Sequence, residues 1–276
     1  YQGIPTGAAY GFLRTLRAAL EDTKATACWV AWDGGRSEFR TRLWPEYKAK
    51  RRERGADDGL REARAEVRGQ MDWLNAVLPC FGVGTAICRG WEADDILAMW
   101  VVDGRMASAS QETIILTGDR DLWQLVRERV SVRMPDGEDV SVATFAKATG
   151  FEKPSHWFWF RVLTGDFSDG IPGVGGIGPK RGRELIAKGF PDRSVMPQEW
   201  WDARNGLVKR NQVLMDLHAA GKRLLASGLA FLEEQQPMQD PGEGLAMARQ
   251  ALATAGMASL AAKWSEWAEP FRRLIG

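Results

Sequence analysis

Thr113-Ile114-Ile115-Leu116-Thr117-Gly118-Asp119-Arg120-Asp121-Leu122 reads as a short apolar strand that runs into a glycine turn and delivers two carboxylates just beyond it. Successive β-branched and aliphatic residues predict the strand, and Gly118 predicts the turn. Ala27 to Trp32 repeats the design, an apolar run ending at Asp33-Gly34-Gly35. Between these runs, Leu60 to Leu78 has helical apolar spacing, and Ile96 to Val102 continues a helix that begins near Glu92. Strands alternating with helices predict an α/β domain with a mostly parallel sheet, and ligands of such sheets sit beyond the strands' carboxyl ends. Asp33 and Asp119 are both expected at such ends.

Farther along, Val130 to Val142 reads as two short strands around Pro135-Asp136-Gly137, a hairpin. Pro154 to Leu163 looks helical, Gly165 to Gly178 is glycine-rich, and Arg181 to Ala187 is helical again. From about Trp200 the chain is mostly helical, with a weak point at Gln236 to Gly244. The expected division is an α/β domain over 1–150, a second module over 151–230 and a C-terminal helical segment over 231–276. Trp157-Phe158-Trp159-Phe160 points in several directions from one helix, which favours packing between the first two modules over base stacking.

Composition narrows the function. With 45% hydrophobic and 26% charged residues in 276, the chain is globular, and disorder, collagen and a disulfide scaffold are excluded. The uncharged run Trp73 to Cys88 is broken by Asn75, Pro79, Gly82 and Gly84, short of the roughly 18 apolar residues of a membrane span. Cys28, Cys80 and Cys88 have no metal-site spacing and fit buried thiols in a reducing cytoplasm. His156 and His218 have no partner pattern, which argues against a His-rich zinc site or a Ser-His-Asp triad. Catalysis therefore falls to carboxylates.

Charge is segregated. Arg36 to Arg54 holds eight basic and three acidic residues, in a chain whose formal net charge is only +1. Interleaved with Phe39, Trp44 and Tyr47, such a stretch suits a phosphate backbone with exposed bases, or equally a solvated helix face. Four carboxylate clusters stand out: Asp33; Glu92, Asp94 and Asp95; Asp119 and Asp121; Asp166 and Asp169. Each alone could cap a helix or close a turn. Together, placed after two strands, at a helix start and before a glycine hairpin, they could converge on one sheet edge. So many like charges repel unless cations intervene. Two hard divalent ions roughly 3.5–4 Å apart would satisfy them and serve phosphodiester hydrolysis. Asp119-Arg120-Asp121 taken by itself fits a metal-using glycosyltransferase as well.

Ile171-Pro172-Gly173-Val174-Gly175-Gly176-Ile177-Gly178-Pro179-Lys180 lies between two helical segments. Glycines let backbone N–H groups approach a phosphate, and the helix start that follows favours negative charge. This is a helix-hairpin-helix pattern that grips DNA without reading sequence. A P-loop would need Gly-Lys-Ser or Gly-Lys-Thr, and a Rossmann turn would need a strand immediately before the glycines.

Taken in order, these motifs resemble the 5′-nuclease family: flap endonucleases, phage 5′–3′ exonucleases and the 5′–3′ exonuclease domain of bacterial DNA polymerase I. The resemblance runs from Gly3-Ile4-Pro5-Thr6-Gly7 through Trp32-Asp33, Phe39-Arg40 and Tyr47-Lys48-Ala49-Lys50-Arg51. It continues through Glu92-Ala93-Asp94-Asp95, Gly118 to Leu122 and Gln124 to Val126, to Gly165-Asp166-Phe167-Ser168-Asp169 and Ile171 to Lys180, covering about 3–190.

The resemblance implies a PIN-like, Rossmann-like fold with a helical arch over about 44–88 and a helix-hairpin-helix module. It implies two Mg²⁺ or Mn²⁺ ions, the first among Asp33, Glu92, Asp94 and Asp119, the second at Asp121, Asp166 and Asp169, with Asp95 a further member and some ligands acting through water. It makes Lys48 and Arg51 the cations at the scissile phosphate, with Asp33 and Asp119 beside them in catalysis. Arg40 and Tyr47 join the DNA-binding residues, as do Gly173, Val174, Gly176, Gly178 and Lys180, and a K⁺ ion is expected at the hairpin. The implied substrate is branched or 5′-ended DNA, or an RNA primer on DNA, cut to a 5′-phosphate and a 3′-hydroxyl by a cytoplasmic monomer of a bacterium or phage-infected cell. A non-catalytic junction binder is the alternative. The family opens with a strand ending in another metal-binding Asp, ahead of the segment where this sequence starts, so a longer native protein is expected. Arg181-Gly182 stands where Thr-Ala is common, and Gly170 where Asn is common.

Overall fold

In the computed structural model, residues 6–54, 58–104, 111–229 and 231–274 are described. The order is α1 (Gly7–Thr23), β1 (Trp29–Trp32), α2 (Glu38–Leu43), α3 (Ala49–Arg54), α4 (Asp58–Val77), β2 (Gly84–Cys88), α5 (Ala93–Asp103), β3 (Thr113–Leu116), β4 (Val130–Arg133) and β5 (Asp139–Val140). There follow α6 (Phe145–Thr149), α7 (Pro154–Thr164), β6 (Gly165–Asp166), β7 (Ile171–Pro172), α8 (Pro179–Ala187), α9 (Gln198–Met215), α10 (Leu217–Ala226), β8 (Leu232–Gln235) and α11 (Pro241–Thr254), then three short helices between 258 and 272. None of the described helices is long and apolar enough to cross a membrane.

The packing draws a division at 231/232, beside the boundary expected near 230, and none near 150; its other divisions fall at 32/33, 53/54 and 87/88. One unit takes Tyr1–Trp32, Arg54–Ile87 and Leu232–Gly276, and the other takes Asp33–Glu53 and Cys88–Phe231. Parallel pairing occurs in both, β1 with β2 in the first and β3 with β4 in the second. The single mostly parallel sheet expected from the alternation is thus two three-stranded sheets, ordered β1-β2-β8 and β3-β4-β5.

In the first unit α1 buries Ala9, Leu13, Leu16 and Leu20, a helical stripe that ends where Lys24 turns left-handed. Leu74, Val77, Leu78 and Phe81 join that core, and the Gln70 side chain accepts a hydrogen bond from the Ala9 N–H at 3.0 Å. Phe81 packs against Phe271 with ring centroids 4.9 Å apart. Leu74 to Phe81 lie inside the arch expected over 44–88; here Leu74, Val77, Leu78 and Phe81 are apolar core, and 84–88 is a strand paired with β1.

In the second unit the hairpin expected around Pro135-Asp136-Gly137 is β4–β5, antiparallel and braced by Arg133 on Asp139 at 2.6 Å. Helix α5 buries Ile96, Ala98, Met99, Trp100 and Val101. Helix α10 lies so close to it that a Cβ on Gly221 would stand 2.7 Å from the Ala98 carbonyl carbon. The aromatic run of α7 packs as core: Trp157 meets Trp123 at 4.9 Å and Phe160 meets Phe151 at 4.9 Å. Burying side chains of this size contributes about 1.5–3 kcal/mol each, enough to fix the ends of α5 and α7, where the carboxylates sit.

Candidate active site

All eight carboxylates of the sequence argument belong to the second unit. Asp33 follows β1 in the chain and accepts a hydrogen bond from the Ala93 N–H at 2.9 Å, at the start of α5. Glu92 caps that helix in a reciprocal box with Asp95, whose carboxylate accepts from the Glu92 N–H at 3.1 Å. Asp119 caps the 3₁₀ turn Arg120–Leu125 by accepting from the Asp121 N–H at 2.8 Å. The capping roles open to these residues are therefore filled.

Asp95 and Arg40 depart from expectation. Asp95 is fully buried, with both oxygens held by the Arg40 fork at 2.6 and 2.8 Å. Arg40, 3% exposed, also donates to the Leu214 carbonyl at 2.9 Å and to Glu92 at 3.4 Å. In this arrangement Asp95, without exposed surface and bound at both oxygens, offers an ion no open oxygen, and Arg40 presents no surface to DNA. Their work is to pin α2 and α9 to the start of α5. Tyr47 is likewise buried, 4% exposed, and its hydroxyl donates to Glu92 at 2.7 Å, so it supports a carboxylate and does not face a base.

Lys48 and Arg51 each pair with a carboxylate of the sequence motifs. Lys48 Nζ lies 2.6 Å from Glu92 and Arg51 Nη2 lies 2.7 Å from Asp169. The Lys48 backbone is left-handed, φ 53°, a conformation costing a non-glycine residue about 1–2 kcal/mol. Its N–H donates to the Asp169 carbonyl at 2.7 Å, which holds it there. Burial pushes the Glu92 carboxyl up, but Lys48 and Arg40 outweigh burial and keep it below the usual range. Asp169 goes the other way: burial raises it further than Lys48 and Arg51 lower it.

The remaining carboxylates form two sets. Asp94 is driven up to about 8, first by burial and then by the charges of Asp119 and Asp33. Its neighbours of interest are all anions, and a hard divalent cation is the group that such a set lacks. In the second set, Arg161 spans Asp121 at 3.0 and 3.3 Å and also pairs with Asp166. Asp166 further accepts from the Ser168 N–H and hydroxyl, each at 2.7 Å. Its carboxyl is pushed up by burial, but Ser168 and Arg161 bring it below the usual range. Burial lifts Asp121 to about 6 even with Arg161 beside it. Among the described residues no three Asp, Glu, His or Cys side chains gather tightly enough to hold an ion by themselves. Water would therefore complete any shell, as Mg²⁺ ordinarily requires. The first set fits a divalent ion on charge, whereas the second already holds its own cation.

After α7 the backbone crosses itself. Gly165, at φ 75°, sits against the Gly173 backbone too closely for any Cβ, and β6 pairs with β7 through Gly165↔Pro172 and Asp166↔Ile171. Gly170, at φ 71°, leaves 2.8 Å between a would-be Cβ and the Glu46 carbonyl, so glycine is the residue that fits here. Val174 and Ile177 are buried, and the Val174 N–H donates to Leu163 at 2.8 Å. Val174 therefore anchors the hairpin and offers DNA neither its side chain nor its amide, and Gly173 is half-buried beside it. Gly176, Gly178 and Lys180 are exposed, and Gly178 caps α8. Buried Asn211 donates to the Val162 and Pro172 carbonyls at 3.0 and 2.9 Å, fastening the hairpin to α9. Asn211 and Arg161 have no sequence motif; each acts across dozens of residues or between two carboxylates. Phe167, 81% exposed between Asp166 and Asp169 with Lys50 4.0 Å from its ring centroid, has only its place in the motif as a signal.

Comparison with known proteins bears on this arrangement. The thermostable DNA polymerase I of Thermus filiformis is 34% identical over 216 residues, 78% of this chain and 23% of that protein. DNA polymerase I of Mycobacterium tuberculosis strain H37Rv is 33% identical over 198 residues, 70% of this chain and 21% of that protein. The chain thus spans less than a quarter of the length of these relatives. Among solved structures, a bacteriophage T5 flap endonuclease in a pseudo-enzyme-product complex with DNA and metal ions has a TM-score of 0.69 at 21% identity, covering 92% of this chain and 93% of that one. The T5 5′-exonuclease with bound zinc has a TM-score of 0.66 at 23% identity, covering 91% and 92%. Both likenesses concern the fold. Residues 1–153 match the 5′–3′ exonuclease N-terminal, resolvase-like domain along more than half of the chain, and the chain belongs to that 5′–3′ exonuclease family.

Proposed function

We propose that the chain is a structure-selective 5′ nuclease, a 5′–3′ exonuclease or flap endonuclease that hydrolyses DNA phosphodiesters to a 5′-phosphate and a 3′-hydroxyl in replication or repair. The observation that carries this reading is the Asp33–Asp94–Asp119 set, in which Asp94 is driven up to about 8 by burial and then by the charges of Asp119 and Asp33, beside a pair of anchored cations. Mg²⁺ or Mn²⁺ at the carboxylates would supply an activated water and charge neutralisation at the phosphate. The chain's own part is to hold Lys48 and Arg51, through Glu92 and Asp169, where charge develops on a phosphate oxygen. Buried Arg40 and Tyr47 keep Glu92 oriented. Exposed Gly176, Gly178 and Lys180 are the surface for duplex backbone, with K⁺ the ion expected at the hairpin. Recognition by shape and charge makes binding weaken steeply with salt. The substrate is a branched or 5′-ended duplex, engaged by one copy of the chain.

A second reading, a junction binder without catalysis, draws on one observation: Asp121, Asp166 and Asp169 are already paired with Arg161, Arg51 and Lys48. Cleavage of a 5′-flap DNA labelled at the flap end, with Mg²⁺ and with chelator, separates the two. Metal-dependent release of 5′ fragments, lost in Asp119→Ala, supports the nuclease. Tight, salt-sensitive binding without cleavage supports the binder.

A further inference from the structure

Arg161 occupies the middle of the second carboxylate set. Its Nε and Nη2 face the two oxygens of Asp121, and Nη2 also pairs with Asp166. The other Asp166 oxygen takes three donors, the Ser168 N–H and hydroxyl and the Asp169 N–H at 3.2 Å. All four oxygens of the pair therefore have a donor. The guanidinium cannot be discharged by pH, since it does not lose its proton in proteins. It can only swing away, and its stem lies beside Trp157, with the guanidinium carbon 5.6 Å from the ring centroid. A dication at these oxygens and a guanidinium between them are like charges within a few ångströms, in a site with little water to screen them.

We propose that Arg161 is a resident counter-cation that a divalent ion must displace to reach Asp121 and Asp166, so that the carboxylates load ions in sequence: first Asp33–Asp94–Asp119, then Asp121–Asp166. This deepens the metal-dependent reading above and rests on it. Arg161 is a positioning residue that acts through the two carboxylates. In the metal-free protein it keeps their four oxygens converged, and it sets the concentration at which the second ion enters.

The test is Mn²⁺ binding to the full chain without DNA, followed by the electron-paramagnetic signal of free Mn²⁺ and by calorimetry. Wild type is expected to bind one ion and then a second at least about ten-fold more weakly, the penalty of displacing one charge. Arg161→Leu is expected to tighten the second ion about ten-fold or more while leaving the first in place. Asp94→Asn should lose the first ion and keep the weak second. Arg161→Lys, which keeps the charge without the fork, should fall between wild type and Arg161→Leu and serves if the leucine variant does not fold. Two equally tight ions in wild type, unchanged by either Arg161 substitution, would overturn the sequence of loading, and flap cleavage retained in that case would leave the nuclease reading standing. No Mn²⁺ binding together with no flap cleavage would remove both.

Discussion

Asp94 feels the charges of Asp33 and Asp119, and among the described residues no ion pair is seen at these three, while Asp121, Asp166 and Asp169 are threaded with Arg161, Arg51 and Lys48. The two groups have the same number of carboxylates, and Asp119 and Asp121 are separated in sequence by a single residue, Arg120. What separates them is their partners. A carboxylate set that lacks a counter-charge creates a demand for an external ion. One that has a counter-charge is stable without an ion and must give up a bond to take one.

That contrast can be broken most sharply by amide substitution. Asp94→Asn is expected to lower metal-dependent cleavage on the order of 10³-fold, several kcal/mol of lost charge stabilisation. Asp121→Asn is expected to lower it by only about 10–100-fold, the range for a residue acting through others. Single-turnover rates at saturating Mg²⁺ compare the two, and equal losses would erase the distinction.

The buried Arg40–Asp95 pair is the fully compensated limit of the same comparison. Arg40→Met leaves Asp95 unpaired in the core and should cost about 3–5 kcal/mol in urea unfolding. Arg40→Met with Asp95→Leu should recover much of that loss, because an apolar replacement of a buried pair is often near neutral.

Acid titration distinguishes the groups next. Asp94 is raised to about 8 and Asp121 to about 6 in the folded protein, well above the unfolded carboxyl value of about 3.9. The folded state therefore holds protons that the unfolded state has released, and the metal-free protein loses stability as pH rises from about 4 to 8. The thermal midpoint without metal should fall over that window, less steeply in Asp94→Asn and less steeply in wild type with Mg²⁺. A midpoint flat with pH in chelator would show that the first set is already neutralised. The smallest effect lies away from both groups: Lys180→Ala should weaken duplex binding modestly and reduce the salt slope by about 1, measured by fluorescence anisotropy across a salt series.

Much of this was legible in the sequence because it is local. β3 with its turn, the Glu92 start of α5 and the β4–β5 hairpin all follow from residues within a few positions of one another. The glycine hairpin between α7 and α8 was equally plain. The unread parts depend on distant partners. Arg161 sits 40 residues from Asp121, and Asn211 sits 39 from Pro172. The arch that the resemblance implies over 44–88 runs into β2, and Gly84-Thr85-Ala86-Ile87-Cys88 gains its meaning as a strand from pairing with β1, where Gly84 packs on Trp29. Arg40, Tyr47 and Val174 look like contacts for DNA by type and position. Only burial reveals that each serves a neighbour inside the protein.

The β6–β7 ladder joins Asp166 to Ile171 in direct register, with Gly178 seven residues beyond. A duplex held at Gly176 to Lys180, as proposed, would be tied to Asp166 through this ladder and the short stretch of backbone after it. If the proposed nuclease reading holds, the fold would act as a ruler, with the place of the cut a length measured from the point of grip. A residue inserted between Pro172 and Gly176 would be expected to blur the position of the cut before it abolished cutting.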